Sequence, residues 1–317
     1  MNYAALAALF AVLGVLPLLV NAYVVVLLTQ AFFFAFLAQS WNIVGGYAGL
    51  LSFGHAAFVG VAAYATAMLS IGLGVNPWIG MFFGALLAGV LGTLVGYLAF
   101  RFGLRGFYFA LLTVAVAEIA RVLALNSEWL GGGAGLFITY TGNPAEFQFS
   151  DPRAYCYVAF VLMSLATLVV AVMERTRFGA YLVAIKEDEE AAEALGIDTF
   201  RHKMLASALS AFLTGFGGAF YAYQNFSLQP DTVFGLPLSV EIVTRAIIGG
   251  IGTLAGPIVG SLILSPIAEV SREFFANSGR PGAHLMVYGL LLIAVTLFMP
   301  GGAMAFVRRL GRKRAGP

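Results

Sequence analysis

Few residues in this chain of 317 could do chemistry, and they are placed sparsely. Asp, Glu, Lys and Arg make up 10% of it, and residues 1–100 contain none of them. Apart from tyrosines, His55 is the one ionisable side chain in that stretch. Among apolar neighbours it reads either as a proton-relay or substrate ligand, or as a neutral imidazole bonded to a backbone group, the commoner use. Glu118 and Arg121 lie three apart, and Glu241 and Arg245 four apart, so each pair shares a helix face and can pair locally. Charges inside a membrane serve either transport or the joining of helices. The chain has no H-E-x-x-H, no G-x-S-x-G, and only three histidines (His55, His202 and His284), which argues against an intramembrane enzyme. One cysteine, Cys156, permits neither an intrachain disulfide nor a cysteine-based metal site, and no metal is expected.

The most informative polar stretch is Ala184-Ile185-Lys186-Glu187-Asp188-Glu189-Glu190-Ala191-Ala192-Glu193-Ala194-Leu195-Gly196-Ile197. Glu and Ala favour a helix, and Gly196 is placed to end it. Asp188, Ala191, Ala192 and Leu195 would line one face, with Glu189, Glu190 and Glu193 on the other. A helix with small residues on one face can seat in a groove of another protein while its acidic face meets basic partners. The same composition also fits a solvated connector. Asp198 is a plausible N-cap for the next helix.

These residues hang on elements that hydrocarbon must solvate. The chain is 61% hydrophobic, whereas a soluble globular domain is about 25% charged, so a soluble enzyme is excluded. A net charge of +2 gives no reason to expect a nucleic-acid partner. A crossing helix needs about 20 apolar residues. Spans are expected at 3–20, 22–43, 53–72, 77–99, 106–125, 154–173, 204–225 and 284–303, with two short or broken spans in 238–269. That makes ten crossings in a single membrane domain over 1–317. The apolar start lacks the basic region of a signal peptide and is expected to be a retained span.

Lys and Arg in short loops set the orientation. Loop 174–203 carries Arg175, Arg177, Lys186, Arg201 and Lys203, and the tail 304–317 carries Arg308, Arg309, Arg312, Lys313 and Arg314. Both are expected in the cytoplasm, with the connection at Arg101 and Arg105 and with both termini. Loop 126–153, whose one basic residue is Arg153, then faces outside, as must loop 270–283 despite Arg272 and Arg280.

Irregular backbone survives at membrane depth only inside protein or beside a water-filled path. Asn42, Gly45, Gly46, Tyr47, Ser52 and His55 lie in or beside one glycine-rich break, and Gly249, Gly250 and Gly252 in another. Such breaks mark a substrate route in many transporters, or simply let helices approach closely.

Four segments, in order, resemble a known family. They are Ser40-Trp41-Asn42-Ile43-Val44-Gly45-Gly46-Tyr47-Ala48-Gly49-Leu50-Leu51-Ser52-Phe53-Gly54-His55-Ala56-Ala57-Phe58, then Gly103-Leu104-Arg105-Gly106-Phe107-Tyr108-Phe109-Ala110-Leu111 with Gly131-Gly132-Gly133-Ala134-Gly135-Leu136, then 184–197, and Gly249-Gly250-Ile251-Gly252-Thr253-Leu254-Ala255-Gly256-Pro257-Ile258-Val259-Gly260. Together they resemble the permease subunits of branched-chain amino acid ABC importers (the Liv type), particularly the M-type permease.

The resemblance implies an all-α polytopic permease of the bacterial inner membrane that passes leucine, isoleucine, valine or related small substrates. It implies that Glu189, Glu190, Ala191, Ala192, Glu193, Ala194, Leu195 and Gly196 form the element docking on a cytoplasmic ATPase. The partners implied are a second homologous permease, two ATP-binding-cassette ATPases and an extracytoplasmic substrate-binding protein. The chain has no G-x-x-x-x-G-K-[ST], so ATP and Mg belong to the ATPases and no cofactor to this chain. Two alternatives stand beside this reading: an ABC permease for urea or short amides, and a secondary transporter that uses an ion gradient with Glu118 and Glu241 as coupling sites.

Overall fold

A backbone in hydrocarbon must satisfy its own hydrogen bonds, and the apolar runs accordingly form helices. The computed structural model describes residues 3–277 together with Met286, Gly289, Leu290, Ile293, Gly302 and Ala303. The helices are α1 (Tyr3–Leu19), α2 (Ala22–Asn42), α3 (His55–Leu73), α4 (Pro77–Arg101), α5 (Gly106–Leu125), α6 (Pro152–Glu174), α7 (Arg177–Glu187), α8 (Glu189–Ala194), α9 (Thr199–Asn225), α10 (Pro230–Val233), α11 (Leu236–Gly249) and α12 (Gly256–Asn277). Two short strands, β1 (Leu136–Phe137) and β2 (Ser227–Leu228), pair antiparallel.

The all-α polytopic architecture is as expected. Among the described residues, seven segments are long and apolar enough to cross a membrane: Ala22–Tyr47, His55–Leu73, Pro77–Arg101, Gly106–Leu125, Pro152–Glu174, Thr199–Asn225 and Pro230–Gly249. Leu6–Leu19 and Gly256–Ser271 are shorter apolar helices. The stretch 238–269 does contain two helices, α11 and α12. Apart from the isolated positions above, span 284–303 and tail 304–317 lie outside the described residues, as do Arg280 and His284. One expectation is corrected: α12 continues to Asn277, so Arg272 sits on a helix and not in a loop.

By internal contacts the chain forms two compact units, one of residues 1–39, 151–167 and 243–317, the other of 40–150 and 168–242. In the first unit the Phe160 ring packs edge-on to Phe32 at 5.4 Å, and Tyr157 Oη donates to Gly14 O at 3.2 Å. In the second, α3, α4 and α9 pack through small residues. A Cβ placed on Gly92 of α4 would lie 2.3 Å from Ala211 Cβ of α9, and one on Gly84 would lie 2.7 Å from Ala62 O of α3. Ser207 Oγ on α9 donates to Gly92 O at 2.9 Å, the cross-helix bond that such close approach permits.

The large side chains point the other way. Phe82, Leu86, Val90 and Leu94 form an exposed stripe on α4, as do Val161, Leu165, Leu168 and Val172 on α6. Water would penalise so much continuous apolar surface, and lipid does not. Small residues inward and large apolar residues outward is the packing of helices in a bilayer.

Polar groups in the second unit gather at two ends. At one, the α4–α5 turn meets α8 through Arg105. At the other, β1 pairs with β2, and the Trp78 indole donates to Pro144 O at 3.2 Å.

Candidate functional site

The first glycine-rich segment is a true break. After α2 the chain makes a π-helical turn, Ile43–Tyr47, and then runs without helix through 48–54. The wide turn is closed by Ala48 N donating to Ile43 O at 3.2 Å and Leu50 N to Val44 O at 2.9 Å. Turns of this kind recur at functional sites. Asn42, Gly45, Gly46, Tyr47, Ser52 and His55 are all buried around it.

His55, only 1% exposed, opens α3 and sits in a polar chain. Ser52 Oγ lies 3.1 Å from Nδ1 and Ser210 Oγ lies 2.9 Å from Nε2. Ser210 Oγ donates its own proton to Ser40 O at 2.7 Å, so it accepts from Nε2–H. Nδ1 is then the acceptor for Ser52 Oγ–H. With Nδ1 as acceptor, every bond of the chain runs in one direction. The histidine ties the break to α9 through two hydroxyls, not through the backbone group expected. His55→Leu leaves the Ser52 hydroxyl without its acceptor and should cost about 2–3 kcal/mol. His55→Gln, which keeps a donor and an acceptor, should cost less. Thermal unfolding of the two variants checks this, and equal losses would sink it.

The polar run 184–197 departs from the single helix expected. Asp188 takes an extended conformation, stops α7 at Glu187 and caps α8, its Oδ1 accepting from Glu190 N and Ala191 N at 3.0 Å. The far end closes as a Schellman turn: Ile197 N donates to Ala192 O, Gly196 N donates to Glu193 O, and Gly196 sits at φ +83°. Asp198 is the N-cap of α9, accepting from Arg201 N at 2.9 Å, as expected.

Two face assignments change. The acidic side is not wholly free for a partner. Glu189 pairs with Arg105 at 3.3 Å and with Lys203, and Glu193 accepts from Thr199 Oγ1 at 2.6 Å. Glu190 is exposed and lies 3.8 Å from Arg105. Ala192 is 2% exposed and packs within the chain. The outward surface of α8 and the turn after it includes Glu190, Ala191, Glu193, Ala194, Leu195 and Gly196, with Leu195 82% exposed.

Arg121 pairs with Glu118 at 2.5 Å, as its spacing predicts, and also with Asp231 of α10. It therefore joins α5 to α10, and all three side chains keep some exposure. Glu241 is buried on α11, and the Arg245 guanidinium lies 3.6 Å above the Phe34 ring. Charge over an aromatic face in a dry setting is a substantial attraction.

The second break, 250–255, belongs to the first unit. There Gly249, Gly256 and Gly260 let two backbones touch, while Gly250 and Gly252 take positive φ of 126° and 69°. A Cβ on Gly249 would lie 1.7 Å from Gly256 O, and one on Gly260 2.0 Å from Arg245 O. Thr253 Oγ1 donates to Gly250 O at 2.8 Å and accepts from Gly256 N at 3.1 Å. Gln39 of α2 donates to Leu254 O at 3.2 Å. No group of three or more metal-ligating side chains occurs among the described residues.

Sequence reasoning missed Ser40, Ser210, Asp231, Glu174 and Gln39. Each acts on a partner remote in the chain. The loop charges Lys186 and Glu174 were visible as charges, but their targets were not.

Long apolar helices packed through small residues and interrupted by two glycine-rich breaks define a multi-pass helical membrane protein. The chain belongs to the family described as branched-chain amino acid transport system / permease component, whose model matches residues 4–296. It is similar to the high-affinity branched-chain amino acid transport system permease protein LivM of Escherichia coli K12, at 27% identity over 92% of this chain and 72% of the relative. It is similar to LivH of Salmonella typhimurium at 24% identity, over 86% of this chain and 91% of the relative. A third relative is the L-arabinose ABC transporter permease protein AraH of Azospirillum brasilense, at 28% identity over 75% of this chain and 68% of the relative. No solved structure matches the chain. The protein is thus a permease component of an ABC transporter, a transport subunit and not an enzyme, and it works with other subunits.

Proposed function

We propose that this chain carries branched-chain amino acids through the bacterial inner membrane as one of two permeases driven by partner ATPases, with α8 as the docking element. The observation that carries the reading is Leu195. An apolar side chain 82% exposed at the end that also holds Arg105, Glu190 and Asp188 has no lipid to cover it. A protein groove does. The ATPases supply the bound ATP and Mg, and an extracytoplasmic binding protein supplies the substrate to the opposite face.

In this scheme the end bearing Arg101, Arg105 and α8 is cytoplasmic, with both termini, and the β1–β2 end is external. Asn42, Gly45, Gly46, Tyr47, Ser52 and His55 are the path candidates of the second unit, and Gly249, Gly250 and Gly252 those of the first. Glu118 with Arg121 serves as an inter-helix tie. The greater share of this chain matched by LivM than by the arabinose permease favours an amino acid over a sugar.

The test is affinity purification of the tagged chain from its native membranes, followed by uptake measurements on the reconstituted assembly. We expect a P-loop ATPase and a second hydrophobic permease to co-purify, with ATP-dependent uptake of leucine, isoleucine or valine. ATP-dependent uptake of arabinose, urea or a short amide alone would overturn the substrate. Uptake by this chain alone under an ion gradient would overturn the ATPase-driven mechanism.

A further inference from the structure

The helix leading into α8 is bracketed by two side chains, and both reach the first break. Glu174 closes α6, three residues before α7 begins, and its Oε1 accepts from Tyr47 Oη at 2.5 Å. Lys186 is the penultimate residue of α7, two before the Asp188 cap of α8, and its Nζ donates to Gly46 O at 3.0 Å. The stem of Lys186 also lies across Gly49. That glycine has φ +70°, and a Cβ there would stand 2.8 Å from Lys186 Cγ.

The chemistry suits a cap. The last carbonyls of a helix carry partial negative charge and lack partners within it. Here the closing amides turn back to Ile43 and Val44, and Gly46 O takes an ammonium from another element. A cation on a terminal carbonyl answers both the missing donor and the helix dipole.

We propose that Lys186 is a positioning residue for transport. It caps the broken end of α2 from the docking loop, and with Glu174 it holds the 45–49 break in one conformation until α8 moves. The proposal rests on α8 being the docking element and names the contact through which its movement reaches the path. Asp188 and Glu187 are the only residues between Lys186 and α8, so displacement of α8 is felt directly at Gly46 O. Release of the cap leaves that carbonyl to find another donor and lets the π-helical turn rearrange.

Two measurements decide it. In the full chain in lipid nanodiscs, Lys186→Met keeps the packing stem but removes the donor. Amides of 46–54 should exchange about tenfold faster, the scale of one charge-assisted hydrogen bond. Amides of α4 should be unchanged, and Lys186→Arg should restore protection. In the reconstituted assembly, ATP hydrolysed per substrate transported should rise about threefold or more in Lys186→Met and return towards wild type in Lys186→Arg. Wild-type exchange in Lys186→Met, or faster exchange with an unchanged ratio, overturns the proposal. The docking assignment fails separately, through a Leu195 variant that leaves uptake intact, so the two failures are distinguishable.

Discussion

Leu195→Asp should abolish ATP-driven uptake while the chain still inserts, folds and melts as the wild type does. Leu195 follows the last turn of α8 and is 82% exposed, so the folded chain asks little of it. Substitutions at such positions typically change stability by less than about 0.5 kcal/mol. In a partner's groove the same carboxylate would be buried without a counter-charge. That costs at least about 2–3 kcal/mol, which at roughly 1.4 kcal/mol per decade weakens docking about 30- to 100-fold or more. Gly196 is a poorer probe, because at φ +83° any side chain strains the turn and confounds docking with local stability. Uptake into proteoliposomes and substrate-stimulated ATP hydrolysis, read beside thermal unfolding, separate the two effects. Full uptake by Leu195→Asp would remove α8 from the docking role.

The second large effect is on stability, and it sets two glycines of the same unit against each other. A Cβ on Gly218 of α9 would stand 2.3 Å from Val59 O and 2.9 Å from Ala63 N, backbone atoms of α3 that cannot turn aside. Gly72, near the end of α3, has nothing within 4 Å of its Cβ position and lacks a left-handed φ. Gly218→Ala must push α3 and α9 apart along a packed seam and should cost about 3 kcal/mol, the upper part of the range for overpacking. Gly72→Ala should instead be neutral or stabilise by up to about 1 kcal/mol, the usual gain of alanine over glycine in a helix. Unfolding of both variants in the same lipid or detergent gives the comparison. Similar behaviour of the two would mean that α3 and α9 do not meet as described.

Helix positions were readable because each apolar run is bounded by the residues that end it. Asn76-Pro77 opens α4, with Asn76 Oδ1 accepting from Trp78 N, and Gly74 closes α3 in a left-handed turn. Where the break after Asn42 begins was readable from its glycines. Its form was not, because a π-helical turn differs from an α-helical one by a single residue of register. The division of 184–197 into two helices had a signal in Asp188, a strong N-cap residue followed by helix formers. The helix propensity of the flanking Glu and Ala concealed it. The roles of Glu189 and His55 were not legible, since Arg105, Lys203 and Ser210 become their neighbours only when the α4–α5 turn and α9 pack, and nothing in the spacing singled out Thr199 as the partner of Glu193. An acidic helix face looks the same in sequence whether it is spent within the chain or offered to another.

Glu189 is shared between Arg105 on the α4–α5 turn and Lys203 in the first turns of α9, and with α8 docked as proposed that sharing would make the short helix the handle of a lever. A handle fixed to one neighbour would dissipate a push in local bending. Fixed to two, it loads both together, and α9 is a rod of 27 residues, about 40 Å from end to end. Its far tip leads within two residues into the strand that pairs with β1 at the opposite end. A tilt of a few degrees at the charged end would therefore become a displacement of a few ångströms there. The gain is set by the length of the rod, and no chain of intermediate rearrangements is needed to carry it.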